Sequence, residues 1–236
     1  MTSETKIDPA ETAKRQAAQW AAAQVEDGMA VGLGSGSTAK LMIDELAGRV
    51  REGLRIVAIA TSIQSHNQAK SLGIPLTDFA RQPQLDLTID GADEVQRGTL
   101  TLIKGHGGAL LREKIVAMAS KRMLVMVDDR KIVHRLGSLF TVPVEIVPFG
   151  WETTARRLRD KGFEGELRVN DDGSPYVTDG QHYILHIKLI ESGMTPEQAA
   201  EAFKSTTGVV EHGLFMGIAS KVVIGSAKGI SFLERT

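Results

Sequence analysis

Short apolar, strand-like runs alternate with longer stretches of helical periodicity through the first half of this chain, and that alternation restricts its possible folds more than any other feature. The runs lie at 29–33, 56–60, 85–89, 100–103 and 123–127. Segment 10–25 is rich in Ala and Gln with no internal Gly or Pro, so a helix is predicted there, ending at Asp27-Gly28. Segment 39–50 sets Leu41, Met42, Ile43, Leu46 and Val50 at helical spacing. Another helix is predicted over 109–120, Thr61-Ser62 stands where it would cap a helix, and a weaker strand is expected near 75–77. Strands alternating with helices predict an α/β, Rossmann-like domain with a mostly parallel sheet covered on both faces.

The pattern changes after Lys131. Strands are expected at 142–147, 166–169, 182–189 and 208–212, and helices at 151–160 and 195–204, with Asp171-Asp172-Gly173-Ser174-Pro175 as a turn. That order, βαββαβ, is the ferredoxin-like split motif. The expected organisation is a Rossmann-like catalytic domain made of 1–131 plus 209–236, with an inserted α+β ferredoxin-like domain at 132–208. The apolar runs 214–218 and 221–224 return the chain to the first domain.

Composition removes whole classes of function. Lys and Arg number 28 against 29 Asp and Glu, which provides no broad field for nucleic acid or an anionic membrane. There is no cysteine, so disulfides, thiolate metal sites and a cysteine nucleophile are excluded. The polar start is not read as a signal peptide, and no apolar run is long enough to span a bilayer, so a cytoplasmic protein is expected.

Three clusters stand at the ends of apolar runs. Gly-Leu-Gly-Ser-Gly-Ser-Thr at 32–38 offers flexible backbone and two hydroxyl side chains where a helix begins, a setting that attracts phosphate; an ordinary capped turn uses the same residues. It lacks the last glycine of a dinucleotide fingerprint and the lysine of a Walker loop. Asp-Gly-Ala-Asp-Glu at 90–94 sets Asp90 and Asp93 to accept sugar hydroxyls or a metal, or to form a solvated turn. No third ligand of matching spacing accompanies them. Lys-Gly-His-Gly-Gly at 104–108 puts Lys104 at a strand end, suited to a developing oxyanion or to a structural carboxylate pair. Glu113 follows in Leu-Arg-Glu-Lys. Spacing alone favours a solvated helix face, whereas its place after the glycine loop suits a general base. His182 and His186 share a strand face without a third metal ligand in register, and His66, His134 and His212 carry no pattern. No Gly-x-Ser-x-Gly elbow is present.

Taken in order, Val-Gly-Leu-Gly-Ser-Gly-Ser-Thr-Ala, Thr-Ile-Asp-Gly-Ala-Asp-Glu, Ile-Lys-Gly-His-Gly-Gly-Ala-Leu-Leu-Arg-Glu-Lys-Ile and Val-Pro-Val-Glu-Ile-Val-Pro resemble type A ribose-5-phosphate isomerase. The likeness runs from about 14 to 229. It implies interconversion of D-ribose 5-phosphate and D-ribulose 5-phosphate through a cis-enediolate, with no metal and no organic cofactor. By position it implies Glu113 as the base, with Asp90, Asp93 and Lys104 as the other catalytic groups. It implies substrate contacts at Lys14, Ser35, Gly36, Ser37, Thr38, Gly91, Ala92, Gly105, His106, Gly107 and Lys131, with Arg15 as a rival for the role of Lys14. It also implies a homodimer or homotetramer. Two positions depart from the family pattern: Ser35 replaces a common Thr, and His106 stands where Gly is usual. Two neighbouring classes are a related sugar-phosphate deaminase and a non-catalytic sugar-phosphate sensor, although no DNA-binding face accompanies the latter.

Overall fold

A computed structural model describes residues 9–234 of the chain. The polar start at 1–8 lies outside the described residues. In chain order the first part consists of α1 (Pro9–Ala23), β1 (Ala30–Leu33), α2 (Ser37–Arg51), β2 (Val57–Ala60), α3 (Ile63–Ser71), β3 (Leu87–Gly91), β4 (Glu94–Gln96), β5 (Leu102–Ile103), α4 (Leu110–Met118), β6 (Met123–Asp128) and β7 (Ile132–Val133). Then come β8 (Val142–Ile146), α5 (Trp151–Asp160), β9 (Gly165–Leu167), β10 (Tyr183–Ile187), α6 (Leu189–Ser192), α7 (Pro196–Lys204) and β11 (Val209–His212). The chain closes with β12 (Leu214–Phe215), β13 (Lys221–Ser226) and β14 (Gly229–Glu234).

The main sheet has six strands in the order β14-β13-β6-β3-β1-β2. All its pairings are parallel except β13 with β14. Its central strands are buried on both faces, which explains their unbroken apolar runs. One face is covered by α1 and α2, where Ala17, Ala18 and Ala21 meet Met42, Ile43 and Leu46 in a closed core. Small alanines let α1 lie close to its neighbours, and each buried Leu, Ile or Met contributes roughly 1.5–3 kcal/mol. The other face packs Val125, Val127, Val222 and Ile224 against Ala117 and Phe215. From β1 the chain crosses to β2 on one side and then to β3 on the other. Ligands of open α/β sheets bind at such a switch point, outside the carboxyl ends of the strands.

The second sheet is antiparallel, in the order β11-β8-β10-β9, with a core of its own that includes Val142, Val144, Ile146, Leu158, Phe163 and Phe203. Its elements follow the predicted βαββαβ order. Its last strand, Val209–His212, lies beyond the expected boundary at 208. Thr195 caps α7 through a reciprocal capping box with Gln198.

A third sheet was not foreseen. β5 does not join the parallel sheet, as its apolar run suggested. It pairs with β4 and β12 in a small four-stranded sheet ordered β12-β5-β4-β7. These strands have two or three residues each, too short for periodicity to register. The weak strand expected near 75–77 is a single bridge between Ala58 and Leu76. No helix among the described residues is long and apolar enough to cross a membrane.

Candidate active site

The turn after β1 and the end of β3 meet at the switch point. The backbone amide of Ser35 donates to Asp90 Oδ1 at 3.0 Å, as does that of Gly91 at 2.7 Å. Gly34 must be glycine here, because a Cβ would stand 2.2 Å from Asp90 Oδ1. Gly36 precedes α2 with φ +92°, a conformation that side chains disfavour, and no side chain caps that helix. The first-turn N–H groups of α2 thus face outward without a side-chain partner, a setting that favours an anion.

Beside this turn is a cleft of about 150 Å³, lined by Ser35, Gly36, Ser37, Thr38, Gly91, Ala92, Asp93, Lys104, Gly105, Gly107, Glu113 and Lys131. Twelve of the fifteen residues expected at the site therefore meet on one surface. The other three are placed differently. Lys14 reaches across from α1 to donate to Ser37 Oγ at 3.1 Å, at the same end of the cleft. Arg15, its rival, instead faces Glu11 at 3.8 Å on its own helix. Asp90 is wholly buried and does not line the cleft; it fixes the Ser35 loop and pairs with Lys104. His106 turns its ring away from the cleft. The Ser35 hydroxyl is also engaged, with Thr61 and Ser62 at 2.7 Å each.

The charges form a buried triad. Lys104 Nζ stands 3.0 Å from Asp90 Oδ2 and 3.4 Å from Glu113 Oε2, and it donates to the Gly91 carbonyl at 2.6 Å. Glu113 is only 4% exposed, so it is not the solvated helix-face residue that spacing favoured. Burial pushes its carboxyl up to about 8; the Lys104 charge opposes this, and the charges of Asp90 and Asp93 add to it. Burial also raises Asp90, against the pull of Lys104. Burial alone would lower Lys104, but Asp90 and Glu113 together hold it above the ordinary lysine range, so it stays an ammonium. Lys104 is the ion-pair partner of Glu113 Oε2, and Glu113 lines the cleft beside it. A carboxyl poised near neutrality beside a permanent cation fits proton abstraction with charge stabilisation on oxygen.

A second lysine lines the cleft. Lys131 donates to the Ala92 carbonyl at 2.7 Å from a short 3₁₀ turn, Asp129–Lys131. Burial pulls its ammonium below the ordinary range, with Asp93 and Asp128 opposing.

One segment important to the site carried no sequence signal that motif reading recognised. Residues 211–215, Glu-His-Gly-Leu-Phe, brace both sides of the triad. The Gly213 carbonyl accepts from the Lys104 backbone amide at 2.9 Å. Lys114, next to Glu113, donates to the His212 carbonyl at 2.6 Å and to Glu211 at 2.8 Å. The Phe215 ring lies 5.6 Å from Lys104 Nζ and 4.8 Å from Lys114 Nζ. Arg168 and Tyr176 were also missed; Arg168 stacks on the Tyr176 ring at 3.7 Å and donates to the His106 carbonyl at 2.8 Å. Among the described residues, no group of three or more His, Cys, Asp or Glu side chains gathers as a metal site.

The family model for ribose 5-phosphate isomerase A (phosphoriboisomerase A) matches residues 57–229. The chain is 48% identical over 228 residues to ribose-5-phosphate isomerase A of Synechococcus sp. (strain JA-3-3Ab), covering 96% of this chain and 99% of the relative. It is 52% identical over 224 residues to that of Gluconobacter oxydans, covering 94% and 96% of the two chains. Among solved structures, ribose 5-phosphate isomerase A from Methanocaldococcus jannaschii superposes with a TM-score of 0.90 at 36% identity, covering 95% of this chain and 99% of that one. A D-ribose-5-phosphate isomerase in complex with phospho-erythronic acid superposes with a TM-score of 0.91 at 34% identity, covering 96% and 99%.

Proposed function

The chain belongs to the ribose 5-phosphate isomerase A family, and from that membership and the buried Glu113–Lys104–Asp90 triad we propose that this cleft interconverts D-ribose 5-phosphate and D-ribulose 5-phosphate through a cis-enediolate. The protein is an aldose–ketose isomerase. The observation that carries the mechanistic reading is the carboxyl of Glu113, raised by burial and within 3.4 Å of a permanent ammonium.

The α2 amino terminus, Lys131 and Lys14 anchor the phosphate at one end. This places the sugar carbons along the cleft toward Glu113. Asp93 accepts from sugar hydroxyls and assists ring opening. Glu113 removes the proton from C2 and returns it to C1. Lys104 and the N–H groups of 105–107 stabilise the negative charge that grows on oxygen. Asp90 serves from behind, keeping Lys104 charged and aimed. Phospho-erythronic acid, which a related isomerase binds, is an anionic sugar acid of the kind such a site favours. The reading extends to a homodimer or homotetramer in the cytoplasm, to be checked by sedimentation of the purified chain. It also extends to a catalytic unit built on the parallel sheet, covered by an antiparallel unit whose last strand ends at His212 and not at the expected 208.

The direct test is formation of ribulose 5-phosphate from ribose 5-phosphate by the purified protein, with and without exhaustive chelation. Turnover is expected to survive chelation. A loss restored by Mg²⁺ or Mn²⁺ would reassign the carboxylates to a metal.

The anchor carries its own prediction. Lys131→Ala is expected to raise KM for ribose 5-phosphate about 10-fold or more with a smaller change in kcat, since it removes binding shared by ground and transition states. Free D-ribose is expected to be a poor substrate. Equal kcat/KM for ribose and its phosphate would rule this anchor out.

A further inference from the structure

We propose that His106 is a positioning residue, whose imidazole locks the 105–107 donor loop and Asp93 against the antiparallel unit. The inference rests on the reading of the cleft given above. A side chain at this position costs no backbone strain: Gly105 and Gly108 adopt positive φ, but His106 is not among the non-glycine residues that do. The side chain does not crowd the cleft, which Gly105 and Gly107 line on either side of it.

Every contact of His106 ties the loop to something outside it. Its backbone amide donates to Asp93 Oδ2 at 3.0 Å, orienting a cleft carboxylate. Its carbonyl accepts from Arg168 at 2.8 Å. Its ring Nε2 lies 2.9 Å from the Thr141 carbonyl, so Nε2 is the protonated nitrogen that donates. The ring meets Phe140 edge-on at 5.0 Å and His186 at 4.8 Å. Burial holds His186 well below the ordinary imidazole range, at about 4, so it presents a neutral ring. The wall that receives His106 is itself fastened. Glu94, wholly buried, accepts the backbone amides of Gly137 at 2.7 Å, Leu139 at 2.6 Å and Phe140 at 2.7 Å. His106 thus ties a glycine-rich loop, which would otherwise fluctuate, to a rigid wall. The N–H donors of that loop act on the reacting oxygens only if they are held in place, because displacements of an ångström are costly in rate.

The test compares wild type with His106→Gly and His106→Gln in the full chain. In His106→Gly, kcat is expected to fall about 10-fold, while KM for ribose 5-phosphate stays within about 2-fold because the phosphate anchor lies elsewhere. His106→Gln supplies an amide N–H toward Thr141 and is expected to recover at least about half of the wild-type kcat. Backbone amide exchange at 105–107 in the unliganded protein is expected to quicken about 10-fold in His106→Gly. Unchanged kcat and exchange in His106→Gly, a loss appearing only in KM, or failure of Gln to restore kcat would overturn the proposal. A wild type without isomerase activity would instead overturn the functional reading, and the exchange measurement would still decide whether His106 locks the loop.

Discussion

Glu113→Gln is expected to lower kcat for ribose 5-phosphate by at least about 10²-fold while leaving its binding largely intact, because the amide keeps the shape but accepts no proton. Exchange of the substrate C2 proton with solvent deuterium should fall in parallel, since one group makes and reverses the enediolate. The raised carboxyl adds a pH signature. The base works as the carboxylate, so wild-type kcat/KM should rise with pH and level off above about 8. Stability runs the other way. A carboxyl whose folded value lies above its unfolded one stabilises the fold fully below the unfolded value of 4.5, and that contribution is lost as pH rises to about 8. The melting temperature of Glu113→Gln relative to wild type should therefore increase between those limits. A variant with wild-type turnover, or a difference in melting temperature that does not respond to pH, would falsify the assignment and return the search for the base to Asp93.

Lys104→Gln is the second large effect. The ammonium sits 3% exposed between Asp90 and Glu113, and it is the only cation whose ion pairs bind both carboxylates together among the described residues. Its removal is expected to cost about 10²–10³-fold in kcat, the usual penalty for one lost oxyanion donor. The charge of Lys104 also holds Glu113 down. Without it, the rising limb of the residual pH profile should move to higher pH. Breaking one side of a buried ion pair costs roughly 3–5 kcal/mol, so the variant should also melt earlier. A limb that stays in place while activity falls would mean that Lys104 acts on substrate alone and not on the base.

The sequence made the local chemistry legible where it coincided with long elements. Apolar runs ending in Gly34, Asp90 and Asp128 sit in the parallel sheet as periodicity predicted, and α5 spans Trp151–Asp160 as read. The cleft residues were reached through motif order, because spacing alone favoured a solvated Glu113. What escaped depends on contacts distant in sequence. β5 resembles a core strand, yet its partners are strands of two or three residues. Asp90 was expected to contact sugar hydroxyls, and it is wholly buried. Its burial follows from the neighbouring loop, which satisfies one carboxylate oxygen with two backbone amides. The brace at 211–215 has no recognisable signature, since Phe215 acts through its ring face and Gly213 through its carbonyl. His106 showed as a departure from pattern, but the direction of its ring is set by Thr141, Phe140 and His186, all from later in the chain.

The brace also sets an order of events during synthesis. The strands that lead into the glycine turn and Asp90, and the helix that bears Glu113, emerge early, and the parallel core can begin to gather as the nascent chain lengthens. The backbone of Lys104, however, is held by Gly213, and the helix bearing Glu113 is tied to Glu211 and His212. Glu211 and His212 belong to the last strand of the antiparallel unit and Gly213 follows it, so these partners are translated about a hundred residues after Lys104 and Glu113. The buried cation and its two acids are thus assembled early in the chain but receive their brace last.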